Sequence, residues 1–210
     1  MNKVENNQVT ISGEIISGFE FSHEIFGEGF YTAELSTVRI SERSDIIPIM
    51  VSNRLVAVNE DWKGQVVRIN GQFRSYSKHE ENKNRLALSV FATEFETWTD
   101  DGERRPNDEN EIFLDGYICK EPIYRKTPLG REIADFLLAV RRAYGKSDCI
   151  PCICWGRNAI FASGLEIGTH IKVEGRIQSR EYRKKISETE FETRTTYEVS
   201  ISKIELVEEP

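Results

Sequence analysis

Seven residues recur in this chain at a nearly constant separation, and that internal repeat constrains the fold more than any other feature. Asn7, Gly13, Gly27, Asp45 and Pro48 return as Asn110, Gly116, Gly130, Asp148 and Pro151, each 103 positions on. Gly64 and Gly71 return as Gly168 and Gly175, 104 positions on. One single-residue slip across seven landmarks means two copies of one module. Two copies are too few for a solenoid, so each must close its own core, and 210 residues are enough for two small domains. The repeat divides the chain into a first module over 1–98, a polar linker over 99–109 with no apolar face, and a second module over 110–207.

Inside each copy the apolar residues alternate with period two, the signature of half-buried strands. In the first, Gln8–Ile15 predicts a strand. Phe19, Phe21 and Phe26 before Gly27 and Gly29 predict a hairpin with Phe30–Val38 as its second arm. Asp45–Val51 reads as a third strand, Asn53–Trp62 as a short helix capped by Asn53, and Gln65–Phe73 and Arg85–Phe91 as the last two strands. The second copy repeats the order: Ile112–Ile118, a turn region over Pro122–Gly130, Arg131–Arg142, Asp148–Trp155, a short helix over Arg157–Ser163, Thr169–Arg180, a charged loop over Lys184–Arg194, and Thr195–Ile201. Five strands with a helix between the third and fourth is the order of an OB-fold. The expected class is therefore all-β with short helices: tandem OB-folds, each a five-stranded Greek-key barrel.

The strands around Asp148–Tyr182 carry the chemistry. Ile150, Cys152 and Cys154 share one face of the first, with Cys149, Ile153 and Trp155 on the other. In the second, Ile171, Val173, Ile177 and Ser179 oppose Lys172, Glu174, Arg176, Gln178, Arg180 and Tyr182, with Gly175 where a small barrel bends. A sheet face with exposed rings beside cations suits a single nucleic-acid strand, because rings stack on unpaired bases and cations follow phosphates. The net charge of −7 runs against that partner, but its distribution does not. Residues 1–105 hold 12 basic and 17 acidic groups, residues 106–210 hold 16 and 18, and Arg176–Lys185 alone has five basic and one acidic.

At this point the second copy resembles the bacterial single-stranded DNA-binding proteins. The resemblance rests on Asn110–Gly116, Glu121-Pro122 with Thr127 and Gly130, Phe136–Ala139, Trp155-Gly156-Arg157, Gly168 through Gly175-Arg176 to Tyr182, and Tyr197-Glu198-Val199. It covers nearly all of 109–206, whereas the first copy joins only through the repeat. The resemblance implies binding of single-stranded DNA without strong sequence preference, in replication, recombination or repair. The stacking positions it implies are Tyr144, Trp155 and Tyr182, with Cys149 at a further one. Its basic matches are Arg157 and Arg180; Arg176, Lys184 and Lys185 join them on charge and placement. The first copy has Ser41 and Ser52 where the second has Tyr144 and Trp155, and Tyr76 is the ring nearest the end of its fourth strand.

The family typically works with four OB-folds, so for a chain with two the resemblance implies a homodimer, the alternative being a monomer whose first module fills the place of a lost partner. Replication or repair proteins are possible partners, yet after the fold only Ile204–Pro210 follows, without the family's acidic, hydrophobic recruiting tip. No charged-then-apolar signal and no membrane-length apolar run is present, which predicts a cytoplasmic chain with no membrane partner. No catalytic residues, cofactor or metal are expected. His23, His79 and His170 are scattered, and Gly27-Glu28-Gly29 lacks the lysine and helix of a phosphate loop. Of Cys119, Cys149, Cys152 and Cys154, the last three sit close together and raise a zinc question, which is answered in favour of buried apolar packing. Two other functions stay open: an assembly module that kept the fold and lost DNA affinity, and an RNA-directed OB protein.

Overall fold

The computed structural model describes residues 5–80, 83–97, 108–185, 187 and 191–208. The strands are β1 (Asn7–Ile15), β2 (Glu20–Ile25), β3 (Glu28–Val38), β4 (Ser44–Ser52), β5 (Val66–Glu80), β6 (Lys83–Thr97), β7 (Asn110–Lys126), β8 (Glu132–Arg141), β9 (Ser147–Trp155), β10 (His170–Lys185) and β11 (Phe191–Leu206). A 3-10 turn covers Ala143–Gly145, and the helix α1 covers Arg157–Ala162. The strands pair in the order β10-β11-β9-β8-β7-β1-β5-β6-β4-β3-β2. Extra pairings of β1 with β3 and of β7 with β10 close each half into a barrel. Each barrel is antiparallel except for one pair, β4 with β6 and β9 with β11. The chain is all-β and carries two OB-folds.

The barrels are filled by the alternating aliphatic residues that the period-two pattern placed inward. Val9, Ile11, Leu35, Ile49, Ile69 and Phe73 pack one, and Ile112, Leu114, Leu138, Cys152, Ile171 and Ile177 pack the other. The landmark asparagines do the same work in both. Asn7 bridges the backbone of Phe73, donating to its carbonyl at 2.8 Å and accepting from its N–H at 2.9 Å. Asn110 bridges Ile177 at 2.8 and 2.9 Å. The slip from 103 to 104 lies between the third and fourth strands, so it changes a connection and leaves the barrel order intact.

Strands β1 and β7 pair antiparallel at the centre of the molecule, with Asn7 opposite Leu114, Val9 opposite Ile112 and Ile11 opposite Asn110. Exchanging the copies maps this pairing onto itself, which defines a local two-fold axis. Away from that seam a second contact obeys the same symmetry. Asp148 accepts from the Ser75 N–H at 2.6 Å, and Asp45 from the Ser179 N–H at 2.8 Å. Each carboxylate is held from its own module by an arginine, Arg142 and Arg39 respectively. The fourth strand of each barrel thus lies across the third strand of the other.

Four expectations differ from the structure. Asn53–Trp62 forms turns, because the Asn53 side chain accepts from the Gly29 N–H at 3.2 Å instead of capping a helix, and Val56, Val58 and Asn59 favour non-helical backbone. Pro122 does not open a turn. It lies inside β7 at a break in the register between Lys120 and Ile123, where a strand tolerates proline. The charged loop over Lys184–Arg194 is mostly strand, β10 running to Lys185 and β11 starting at Phe191 with Tyr182 opposite Arg194. Alternating Thr and charged residues can pair along an exposed hairpin as readily as they can loop. Of the linker 99–109, residues 99–107 lie outside the described residues. Its end is tied to the first barrel: Asp108 accepts from the Val38 N–H at 2.7 Å, and Glu109 pairs with Arg68 at 2.6 Å.

Candidate nucleic-acid interface

Strand β9 sets the second module's outer face. Its inner residues Ile150, Cys152 and Cys154 are buried, and its outer row is Cys149, Pro151, Ile153 and Trp155. Trp155 ends the strand opposite Ile133 and keeps 41% of its surface exposed. Gly156, at φ 56°, then turns the chain into α1, which buries Ala159 and Ala162 and leaves Arg157 exposed at its first position. A large ring and a guanidinium two residues apart are therefore both exposed, because a strand ends where a short amphipathic helix starts.

Strand β10 brings the second group. Ser202 of β11 is an extra residue opposite Glu174 and Gly175, a bulge that bends the hairpin over the barrel. A side chain at Gly175 would place its Cβ 2.3 Å from the Ser200 carbonyl oxygen, so only glycine fits, and Gly71 meets Phe91 at 2.2 Å in the same way. Beyond the bulge the outward row has different tasks along its length. Arg176 is directed at the first module, 3.7 Å from Asp45, and its pKa is lowered first by burial and then by Arg39. Gln178 is buried and donates to Glu198 at 2.8 Å, and Arg180 lies 3.4 Å from the same carboxylate. Tyr182 is 40% exposed and Lys184 half-exposed. The side chains of Tyr144 and Lys185 lie outside the described residues; Tyr144 belongs to the 3-10 turn between β8 and β9.

The equivalent face of the first module is occupied by its own side chains. Ser52, the counterpart of Trp155, is buried and donates its hydroxyl to Glu28. Phe30 is stacked on one side by His23 at 5.0 Å and met on another by Phe91 at 5.7 Å. Arg74 lies 3.8 Å over the Phe91 ring, and burial lowers its pKa. Rings engaged in this way offer little free face to a base.

Sequence reasoning missed the reciprocal Asp–Ser contacts between the barrels and the diversion of Arg176 to one of them. A signal was present, since Asp45 and Asp148 are landmarks and Ser75 and Ser179 also stand 104 apart. Cys152 and Cys154 are buried free thiols whose pKa is raised by burial, that of Cys154 to about 12. Among the described residues no group of three or more His, Cys, Asp or Glu side chains is placed to hold a metal. No helix among them is long and apolar enough to cross a membrane.

With this geometry in hand, known proteins give a consistent comparison. The wild-type single-stranded DNA binding protein from Thermus aquaticus superposes with a TM-score of 0.76 at 19% identity, covering 97% of this chain and 94% of that one. Single-stranded DNA-binding protein 2 of Listeria innocua is 38% identical over 80 residues, which are 35% of this chain and 50% of that protein. Single-stranded DNA-binding protein A of Bacillus subtilis is 35% identical over 91 residues, 40% of this chain and 53% of that protein. The chain thus spans about half the length of these two relatives. The sequence model of the Single-strand binding protein family matches residues 109–207. The second module, residues 109–207, thus matches the single-strand binding protein family.

Proposed function

We propose that the chain binds single-stranded DNA without strong sequence preference, by stacking bases on exposed rings and neutralising phosphates. The observation that carries this reading is Trp155, a large ring kept half in solvent at the end of β9, with the exposed Arg157 two residues on. Tyr182 and Lys184 extend the surface along β10. Tyr144, Arg176, Arg180 and Lys185 belong to the same proposed set, with Arg176 and Arg180 already engaged by Asp45 and Glu198. The domain division 1–98, 99–109 and 110–207, a homodimer presenting four OB-folds, a cytoplasmic setting and a role in replication, recombination or repair complete the proposal. Binding involves no catalytic step.

The test is quenching of tryptophan fluorescence by an oligothymidine of about 35 nucleotides, longer than two OB-folds cover at roughly 4–16 nucleotides each. Quenching that weakens as salt rises and is mostly lost in Trp155→Ala is the expected result. Absence of binding at low salt overturns the proposal in favour of an assembly module without DNA affinity. Competition by an oligouridine of equal length distinguishes a preference for RNA.

A further inference from the structure

The two hairpins that extend from the barrels, β5–β6 and β10–β11, reach across the partner barrel and leave an open groove of about 540 Å³ between them. The groove lies across the local two-fold relation, because Pro48 and Pro151, the same landmark in the two copies, both line it. Tyr182 enters it from the second module and Tyr76 from the first, 40% and 39% exposed, with Tyr197 and Arg194 beside them. Burial raises the pKa of Tyr76 and Tyr197, as expected of rings set against apolar walls. The nearby carboxylate of Glu192 is matched by Arg194 at 2.5 Å.

Two observations favour a single-stranded nucleic acid as the occupant. First, the groove shares Tyr182 with the proposed binding face, and its Pro151 lies on the strand that ends in Trp155, with the buried Ile153 between them. Second, its lining sets proline and tyrosine faces beside the Arg194–Glu192 ion pair, so rings stand available to bases with no net negative charge from that pair. The copies do not contribute identically. The position equivalent to Tyr76 is Arg180, so the first module presents a ring where the second presents a guanidinium.

We infer that Tyr76 stacks on a base in this shared groove, so that the first module contributes to the binding site through its hairpin although Phe30 and Phe91 on its own outer face are engaged by neighbouring side chains. This rests on the reading that the second module binds single strands, and the experiment separates the two. Affinities of wild type, Tyr76→Ala, Tyr76→Phe and Trp155→Ala are measured with oligothymidines of about 10 and about 35 nucleotides, one short enough for a single OB-fold and one long enough to pass through the groove. Tyr76→Ala is expected to weaken the long oligomer at least about fivefold, to spare the short one and to shorten the occluded length, with Tyr76→Phe restoring wild-type behaviour. Trp155→Ala is expected to weaken both. If Tyr76→Ala binds the long oligomer like wild type while Trp155→Ala weakens both, the groove inference is overturned and the functional proposal stands. If wild type binds neither oligomer, both fail. If Tyr76→Ala changes only self-association in sedimentation, the groove is an interface between copies of the chain and the inference is overturned.

Discussion

The two modules fold to the same barrel and hold each other by the same contacts, yet they use their outer faces in opposite ways. In the second, Trp155 and Arg157 face solvent. In the first, a serine replaces the tryptophan and is buried, and Phe30, His23, Phe91 and Arg74 stack on one another. The difference teaches that a barrel is specified by its inner row and its bends, which leaves the outer row of each copy able to serve recognition or self-packing. What the copies retain in common is what closing a barrel and joining two barrels require.

Removing the joint is the largest disturbance the comparison predicts. Asp148→Ala leaves the Ser75 N–H without its acceptor and the Arg142 guanidinium without its carboxylate, at a cost of about 3–5 kcal/mol in urea unfolding. Asp45→Ala does the same to Ser179 and Arg39 and is expected to cost a similar amount. A large inequality between the two would show that the symmetry of the contacts is not a symmetry of energies.

The recognition faces are separated next. Trp155→Ala is expected to lose about 1–3 kcal/mol of oligothymidine affinity with little change in the unfolding midpoint, since the ring is half exposed. Ser52→Ala, at the equivalent position, is expected to leave affinity unchanged in the same titration.

A smaller effect comes from Thr37, whose hydroxyl is buried with no hydrogen-bond partner among the described residues. Its counterpart 103 positions on is Val140, also buried. Thr37→Val is expected to stabilise the protein by about 1 kcal/mol in denaturant unfolding, because it removes a desolvated hydroxyl and keeps the shape.

The last effect is absent near neutrality and confined to alkali. The Cys154 pKa is raised to about 12 by burial, so above about pH 9 the unfolded chain loses this proton while the folded chain keeps it. Its contribution to stability is full below that point and declines as pH rises from about 9 to about 12. The first module has Val51 at the equivalent position, and Cys154→Val should flatten the alkaline limb of stability against pH without changing it near neutrality.

The course of the chain through each barrel is legible in the sequence because alternation, glycine bends and a repeat are local or periodic signals. β9 follows the expected Asp148–Trp155 with one added residue, and α1 follows Arg157. The expectation failed where a residue's partner is distant in sequence. Asn53 read as a helix cap from its neighbours, and it is bound to Gly29 instead. For Arg176, which stays in the proposed binding set, the neighbouring Asp45 of the other barrel was equally beyond the reach of the local pattern. For the face itself the sequence named Trp155 and Tyr182, while the self-stacked rings of the first module and the groove shared by Tyr76 and Tyr182 depend on which strands lie next to each other.

By itself, then, the sequence determined two all-β modules, their inner rows and the position of an exposed tryptophan beside an arginine. These follow from side-chain alternation and backbone sterics acting within a strand or at its end. The tertiary structure alone decided that the copies pair through β1 and β7, that Asp45 and Asp148 reach into opposite barrels, and that two hairpins enclose one groove. Those features need groups up to 134 residues apart to meet. Their proximity is set by how two closed barrels dock, which no local pattern of residues encodes.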